Sequence, residues 1–212
     1  LEIFIDLSDF KSIDNIYIPT SKTHSSFYKE PSLKPLVVNL FGGPGTGKST
    51  GAAYLFSQLK ILGYNVELVT EFAKEKAWEN NLKAVEDQLY ILGEQSHKMT
   101  ICQKDVDIII TDSPLLLSIL YNHDERLTDN FTNTVLDVFH SYNNLNFYLE
   151  RTKNYNTKGR FQSEEEAKGI DKNIKNVLDT YNIPYFTSLA EITGYENILD
   201  IIKVYFNKEK QQ

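Results

Sequence analysis

From Leu36 onward, five short apolar runs alternate with longer segments in which apolar residues recur every three or four positions. That alternation predicts strands and helices wound around a mostly parallel sheet. The strands are expected at Leu36–Phe41, Val66–Thr70, Val106–Thr111, Leu145–Leu149 and Tyr185–Thr187. Between the first two, a helix from Ser49 to Leu62 places Ala52, Ala53, Leu55, Phe56, Leu59 and Leu62 on its apolar side, with Gly63 as its stop. Further helices are expected over 71–80, over 85–104 with Leu89, Leu92 and Met99, and over 114–121 and 128–142. After a polar, basic stretch at 151–163, Ala167, Ile170, Ile174, Val177, Leu178 and Tyr181 define one helical face, and Ile198–Phe206 closes the chain.

The first 35 residues break this pattern. One short strand, Leu1–Ile5, is followed by a polar loop around Pro19–Ser26, and Pro31–Pro35 reads as a linker. Residues 1–35 are therefore expected to be an extension packed on a main domain of residues 36–212.

Between the first strand and first helix lies Gly42-Gly43-Pro44-Gly45-Thr46-Gly47-Lys48-Ser49, a glycine, four residues, then Gly-Lys-Ser. Glycines there let the backbone curl so that successive N–H groups face a phosphate, aided by the positive end of the helix. Lys48 is expected to reach the β- and γ-phosphates, and Ser49 to ligate a bridging Mg²⁺. Thr50 is a weaker binding candidate, because its side chain leaves the helix in another direction. Asp112 closes the third buried strand, where a phosphate-loop protein needs a metal-side carboxylate; an Asp capping the next helix is the alternative. Glu71, at the end of the second strand, is placed to orient or deprotonate an acceptor hydroxyl, or else only to start a helix favourably. Phe72 and Trp78 could wall an acceptor site or pack in the core.

Composition narrows the partners. Net charge is -7 from 22 Lys+Arg against 29 Asp+Glu, which disfavours constitutive nucleic-acid binding. No apolar run has the length of a membrane span, so a soluble, cytoplasmic protein is the expectation. Cys102 is the single cysteine, excluding an intrachain disulfide and a multi-thiolate zinc site. His24, His97, His123 and His140 have no ligand spacing. Of the three arginines, Arg151 and Arg160 lie close together with Lys153, Lys158 and Gly159, as expected of a basic flap over a triphosphate or of a solvated loop.

A small GTPase would carry Asn-Lys-x-Asp and Asp-x-x-Gly motifs, which are absent, and an AAA+ motor usually places Glu where Ser113 stands. Phosphoryl transfer to a bound acceptor is the remaining expectation. The stretches Phe41–Ser49, Val69–Lys74, Ile110–Pro114, Tyr155–Arg160 and Tyr181–Tyr185 resemble, in order, the P-loop kinase-like proteins common in phages. Those are grouped with the nicotinamide-riboside kinase domain of the bacterial NAD-biosynthesis regulator. The resemblance implies a three-layer α/β P-loop NTPase with a five-stranded parallel sheet, of nucleoside/nucleotide-kinase type. It also implies ATP and Mg²⁺ at Lys48, Ser49 and Asp112, a lid arginine at Arg160, and Glu71 on the acceptor side.

The expected activity is transfer of the γ-phosphoryl group of ATP to a hydroxyl of a nucleoside, nucleotide or related small molecule. Lys48, Glu71, Arg151 and Arg160 would act in transfer, and Gly43, Pro44, Gly45, Thr46, Gly47, Lys48, Ser49 and Thr50 would bind the nucleotide. Three alternatives stay open. The acceptor could be hydroxymethylpyrimidine in DNA, as in similar phage enzymes; the protein could be a nucleotide-dependent regulatory module; or it could simply hydrolyse the nucleotide.

Overall fold

The computed structural model describes residues 16–17, 35–152 and 163–209, with side chains described for 35–152 and 163–206. The expected strand at 1–5, most of the linker, His24, and the flap residues Lys153, Lys158, Gly159 and Arg160 lie outside the described residues.

Elements follow in the order β1 (Ile16–Tyr17), β2 (Leu36–Phe41), α1 (Lys48–Ile61), β3 (Val66–Val69), α2 (Phe72–Trp78), α3 (Leu82–Glu86), α4 (Gln88–Cys102) and β4 (Ile108–Thr111). Then come α5 (Leu117–Tyr121), α6 (Asp129–His140), β5 (Asn143–Glu150), α7 (Glu164–Thr180), β6 (Tyr185–Leu189) and α8 (Ile192–Glu209). The sheet order is β1-β6-β5-β2-β4-β3, with β2 to β6 all parallel. β1 adds an antiparallel edge, pairing Ile16 with Phe186 and Tyr17 with Tyr185.

β2 is central, between β4 and β5. The chain runs from β2 out to β3, back through β4, then across to β5 and β6. Connections therefore diverge around the C-terminal end of β2, the place where open parallel sheets leave a crevice for ligands.

Burial on both faces explains why β2 is an unbroken buried run. Leu36, Val38 and Leu40 pack with Ala52, Leu55 and Leu59 of α1 and Ile198, Ile201 and Ile202 of α8. Val37 and Phe41 pack on the opposite face with Leu92 and Met99 of α4, Val135 and Phe139 of α6, and Ile174 and Leu178 of α7. One polar ladder interrupts that second layer. Asn39 Nδ2 donates to Asn144 Oδ1 and Asn146 Oδ1, each at 2.9 Å, and Asn146 Nδ2 donates to Pro184 O at 2.9 Å. Each buried amide thus finds partners inside the layer, which limits the cost of burying it.

Several expected boundaries move, for local reasons. The helix expected over 71–80 ends at Trp78, followed by Asn80 with a left-handed φ of 56°. The long helix expected over 85–104 is two: Asn81 caps α3 by accepting from Ala84 N, and Asp87 caps α4 by accepting from Tyr90 N. The buried face of α4 is Gln88, Ile91, Leu92, Gln95 and Met99, so Leu89 is turned outward. The helices expected over 114–121 and 128–142 contract to α5 and α6. α8 begins six residues before the expected Ile198; Gly194 occurs in its first turn because a Cβ there would sit 2.0 Å from Leu189 O. Trp78 is 75% exposed and not in the core, whereas Phe72 is buried.

Candidate nucleotide-binding site

The loop from Gly42 to Gly47 joins the buried end of β2 to α1. Gly47, the residue before α1, has φ 117°, a conformation that L side chains rarely adopt. Thr46 N donates to Gly43 O at 3.2 Å and Thr46 Oγ1 to the same oxygen at 2.7 Å, closing the turn. Ser49 and Thr50 are exposed at the open N-terminus of α1. α1 has no side-chain cap at that end, so its first N–H groups remain available to an anion.

Lys48 lies folded back on the loop, its Nζ donating to Gly42 O at 2.7 Å and Gly43 O at 3.2 Å. Burial lowers its pKa, against the pull of Glu71, Asp112 and Asp171. A half-buried ammonium hydrogen-bonded to two carbonyl oxygens is a cation that gains from an arriving phosphate.

Asp112 follows β4 and is buried. Its Oδ1 accepts the main-chain N–H of Glu71 at 3.1 Å, tying the ends of β4 and β3 together. Burial raises the pKa of the Glu71 carboxyl, with Asp112 adding to the effect and Lys48 opposing it. The next residue, Phe72, donates its N–H to Gln95 Oε1 at 2.9 Å, so α4 also fixes the start of α2. Tyr121 of α5 has its hydroxyl pKa pushed up to about 12 by burial, then by Glu71 and Asp171. Trp78, exposed at the far end of α2, does not share this burial.

Arg151, immediately after β5, is drawn to the loop. Its Nη2 donates to Pro44 O at 3.0 Å and Thr46 Oγ1 at 3.2 Å, and it pairs with Asp171 at 2.9 Å. From the other flank, Tyr195 of α8 donates its hydroxyl to Gly47 O at 3.0 Å. Its ring lies where a Cβ on Gly51 would approach within 2.6 Å.

The structure therefore brings Lys48, Glu71, Asp112, Arg151 and the loop residues Gly43 to Ser49 to one end of the sheet. Asp171, Tyr195, Gln95 and Tyr121 join them without having been singled out by sequence. Two of these had a signal. Asp171 interrupts the apolar stripe of α7, and Tyr195 packs where Gly51, a glycine inside a helix, marks a close approach.

A parallel sheet with this order and a glycine-rich loop leading from its central strand into a helix define a P-loop nucleotide-binding protein. A family model described as AAA domain matches residues 37–192, spanning the loop, Asp112, Arg151 and Asp171. The chain belongs to that family. Among solved structures, it is similar to the NadR protein in complex with NR, with a TM-score of 0.62 at 15% identity, over 82% of this chain and 52% of that one. It thus spans about half the length of that protein, and shares its fold. A deoxyadenosine kinase from M. mycoides with products dCMP and a flexible dCDP bound matches with a TM-score of 0.47 at 22% identity, over 81% of this chain and 99% of that one. No curated protein matches the chain in sequence.

Proposed function

We propose that the protein is an ATP-dependent kinase that transfers the γ-phosphoryl group to a hydroxyl of a nucleoside, nucleotide or related small molecule. The observation that carries this reading is the link between Glu71 and Asp112. The Glu71 N–H donates to the Asp112 carboxylate at 3.1 Å, and the carboxyl groups of both residues act electrostatically on the phosphate lysine, Lys48. The raised pKa of Glu71 brings it nearer to what a general base for a hydroxyl requires.

In this reading Lys48 leaves the carbonyls of Gly42 and Gly43 for the β- and γ-phosphates, and the loop from Gly43 to Ser49 cradles them. Ser49 and Asp112 would hold Mg²⁺. One hydroxyl and one carboxylate suit a hard cation that completes its shell with phosphate oxygens and water. When bound, the metal would neutralise charge on the transferring group. Glu71 orients the acceptor hydroxyl and accepts its proton. Arg151 keeps positive charge beside the loop, and Arg160 would act from the adjoining segment. Thr50 contributes only at the rim.

The test is incubation with Mg²⁺ and γ-labelled ATP against nucleosides, nucleotides, nicotinamide riboside and hydroxymethylpyrimidine DNA, following label on acceptor and free phosphate separately. Label on a small-molecule acceptor supports the kinase and names its substrate class; label on DNA moves the acceptor into nucleic acid. The match to a family named for its AAA domain favours one further reading, a nucleotide-dependent ATPase or regulatory module. It predicts binding or phosphate release with no labelled acceptor.

A further inference from the structure

Helix α7 faces the sheet through Ala167, Ile174 and Leu178, all essentially inaccessible to solvent. Asp171 falls in the same stripe, one turn after Ala167. A carboxylate there would be costly without strong partners, and all of its described partners belong to the nucleotide site. Asp171 Oδ1 accepts the Gly43 N–H at 2.6 Å and lies 3.4 Å from Thr46 Oγ1. Its Oδ2 accepts from Arg151 Nε at 3.1 Å and Nη2 at 2.9 Å. The same Nη2 reaches Pro44 O and Thr46 Oγ1, so one ion pair contacts three residues of the loop, Gly43, Pro44 and Thr46.

Gly43 occupies a position where the phosphate-loop pattern accepts any residue. Here a Cβ would lie 2.5 Å from Asp171 Oδ1 and 2.9 Å from Ala167 O. The second glycine of this loop is thus explained by the close approach of α7.

We propose that Asp171 is a positioning residue of the nucleotide site: its carboxylate, shared between the Gly43 N–H and the Arg151 guanidinium, sets the conformation of the Gly43–Thr46 half of the loop. This rests on the nucleotide-binding reading of the site. Charge makes the arrangement asymmetric. Asp171 alone would repel a polyphosphate, and Arg151 cancels it. Removing Arg151 leaves a bare carboxylate against the loop, whereas removing the charge of Asp171 loosens the loop but leaves no repulsion.

The experiment measures MgADP affinity by calorimetry for wild type, Asp171→Asn, Arg151→Gln and the double variant, with a circular dichroism melt of each. Glu164→Gln, which removes an exposed ion pair with Lys168 on the same helix, is the control and should bind as wild type does. Asp171→Asn should bind about tenfold more weakly, as for loss of a charge-assisted hydrogen bond. Arg151→Gln should lose more, and the double variant should bind no more weakly than Arg151→Gln, because the two residues act as one unit. A purely structural Asp171 would lower the melting midpoint and leave the affinity of the folded protein unchanged. That result, or additive losses in the double variant, overturns the proposal. If Asp171→Asn does not fold, Gly43→Ala, whose methyl displaces the same carboxylate, should show the affinity loss; full affinity there also overturns it. Absence of MgADP binding by wild type would remove the nucleotide site itself and this proposal with it, whereas wild-type binding matched by Asp171→Asn removes only the proposal.

Discussion

The main-chain N–H of Glu71 donates to Asp112 Oδ1 at 3.1 Å, so a residue two positions beyond β3 and the residue directly after β4 are held as a pair. Because β3 and β4 are in parallel register, with Val69 opposite Thr111, the two chain ends leave the sheet at the same level. The sheet itself therefore fixes how far apart these two positions stand, which in the proposed reading are the acceptor side and the metal side of the cleft.

Glu71→Gln keeps the shape of this pair and removes the charge. As a lost general base it should slow phosphoryl transfer by about 10²- to 10⁴-fold, with MgADP affinity little changed. Single-turnover kinetics alongside calorimetry separates the two; equal losses would assign Glu71 a structural role.

The same substitution has a pH signature. A carboxyl whose pKa is raised by folding takes up protons in the native state, so its contribution to stability is present at low pH and lost as pH rises through the folded pKa. Glu71 is raised from 4.5. Glu71→Gln should therefore be more stable than wild type at neutral pH, and the gain should vanish below about pH 4.5. Thermal melts across pH 4 to 8 check this, and wild-type transfer should lose activity on the acid side above pH 4.5.

Lys48→Ala should reduce ATP-dependent transfer by two orders of magnitude or more, roughly as for loss of a preorganised charge on the reacting group. Its melting midpoint in buffer should hold or rise slightly, since the half-buried ammonium lies against carbonyls with a lowered pKa. Retained turnover would remove Lys48 from the site.

Gly51→Ala drives a methyl into the Tyr195 ring, 2.6 Å from Cε1. Overpacking of this kind costs about 1–3 kcal/mol, and urea unfolding should report a loss in that range. Because the ring carries the hydroxyl bound to Gly47 O, nucleotide affinity should fall as well.

The parallel sheet, the phosphate loop and the positions of Asp112 and Glu71 were legible in the pattern, because strand-loop-helix units write their chemistry at fixed places. The helix divisions near Asn81 and Asp87 were not, since an Asx cap inside a helical period looks like an ordinary polar position. α8 starts well before Ile198, where the apolar pattern becomes clear, and the reason for Gly194 in its first turn, the nearby Leu189 carbonyl, is not a local signal. Leu89 was misplaced because Gln88 and Gln95 hold buried positions that the period assigns to apolar side chains. Gln95 is there to bond Phe72 N, a tertiary demand that propensity does not carry.

The amide ladder of Asn39, Asn144 and Asn146 has a consequence for assembly. A slip of β5 by one residue along β2 would turn Asn144 and Asn146 out of their layer, stranding Asn39 among Val37, Phe41 and Tyr148 without its two acceptors. The same slip would carry Arg151, five positions beyond Asn146, about 3.3 Å past the Pro44 carbonyl. Misfolded alignments that would spoil the nucleotide cradle are thus penalised in the middle of the sheet. The three asparagines act as a proofreading key for a site none of them touches.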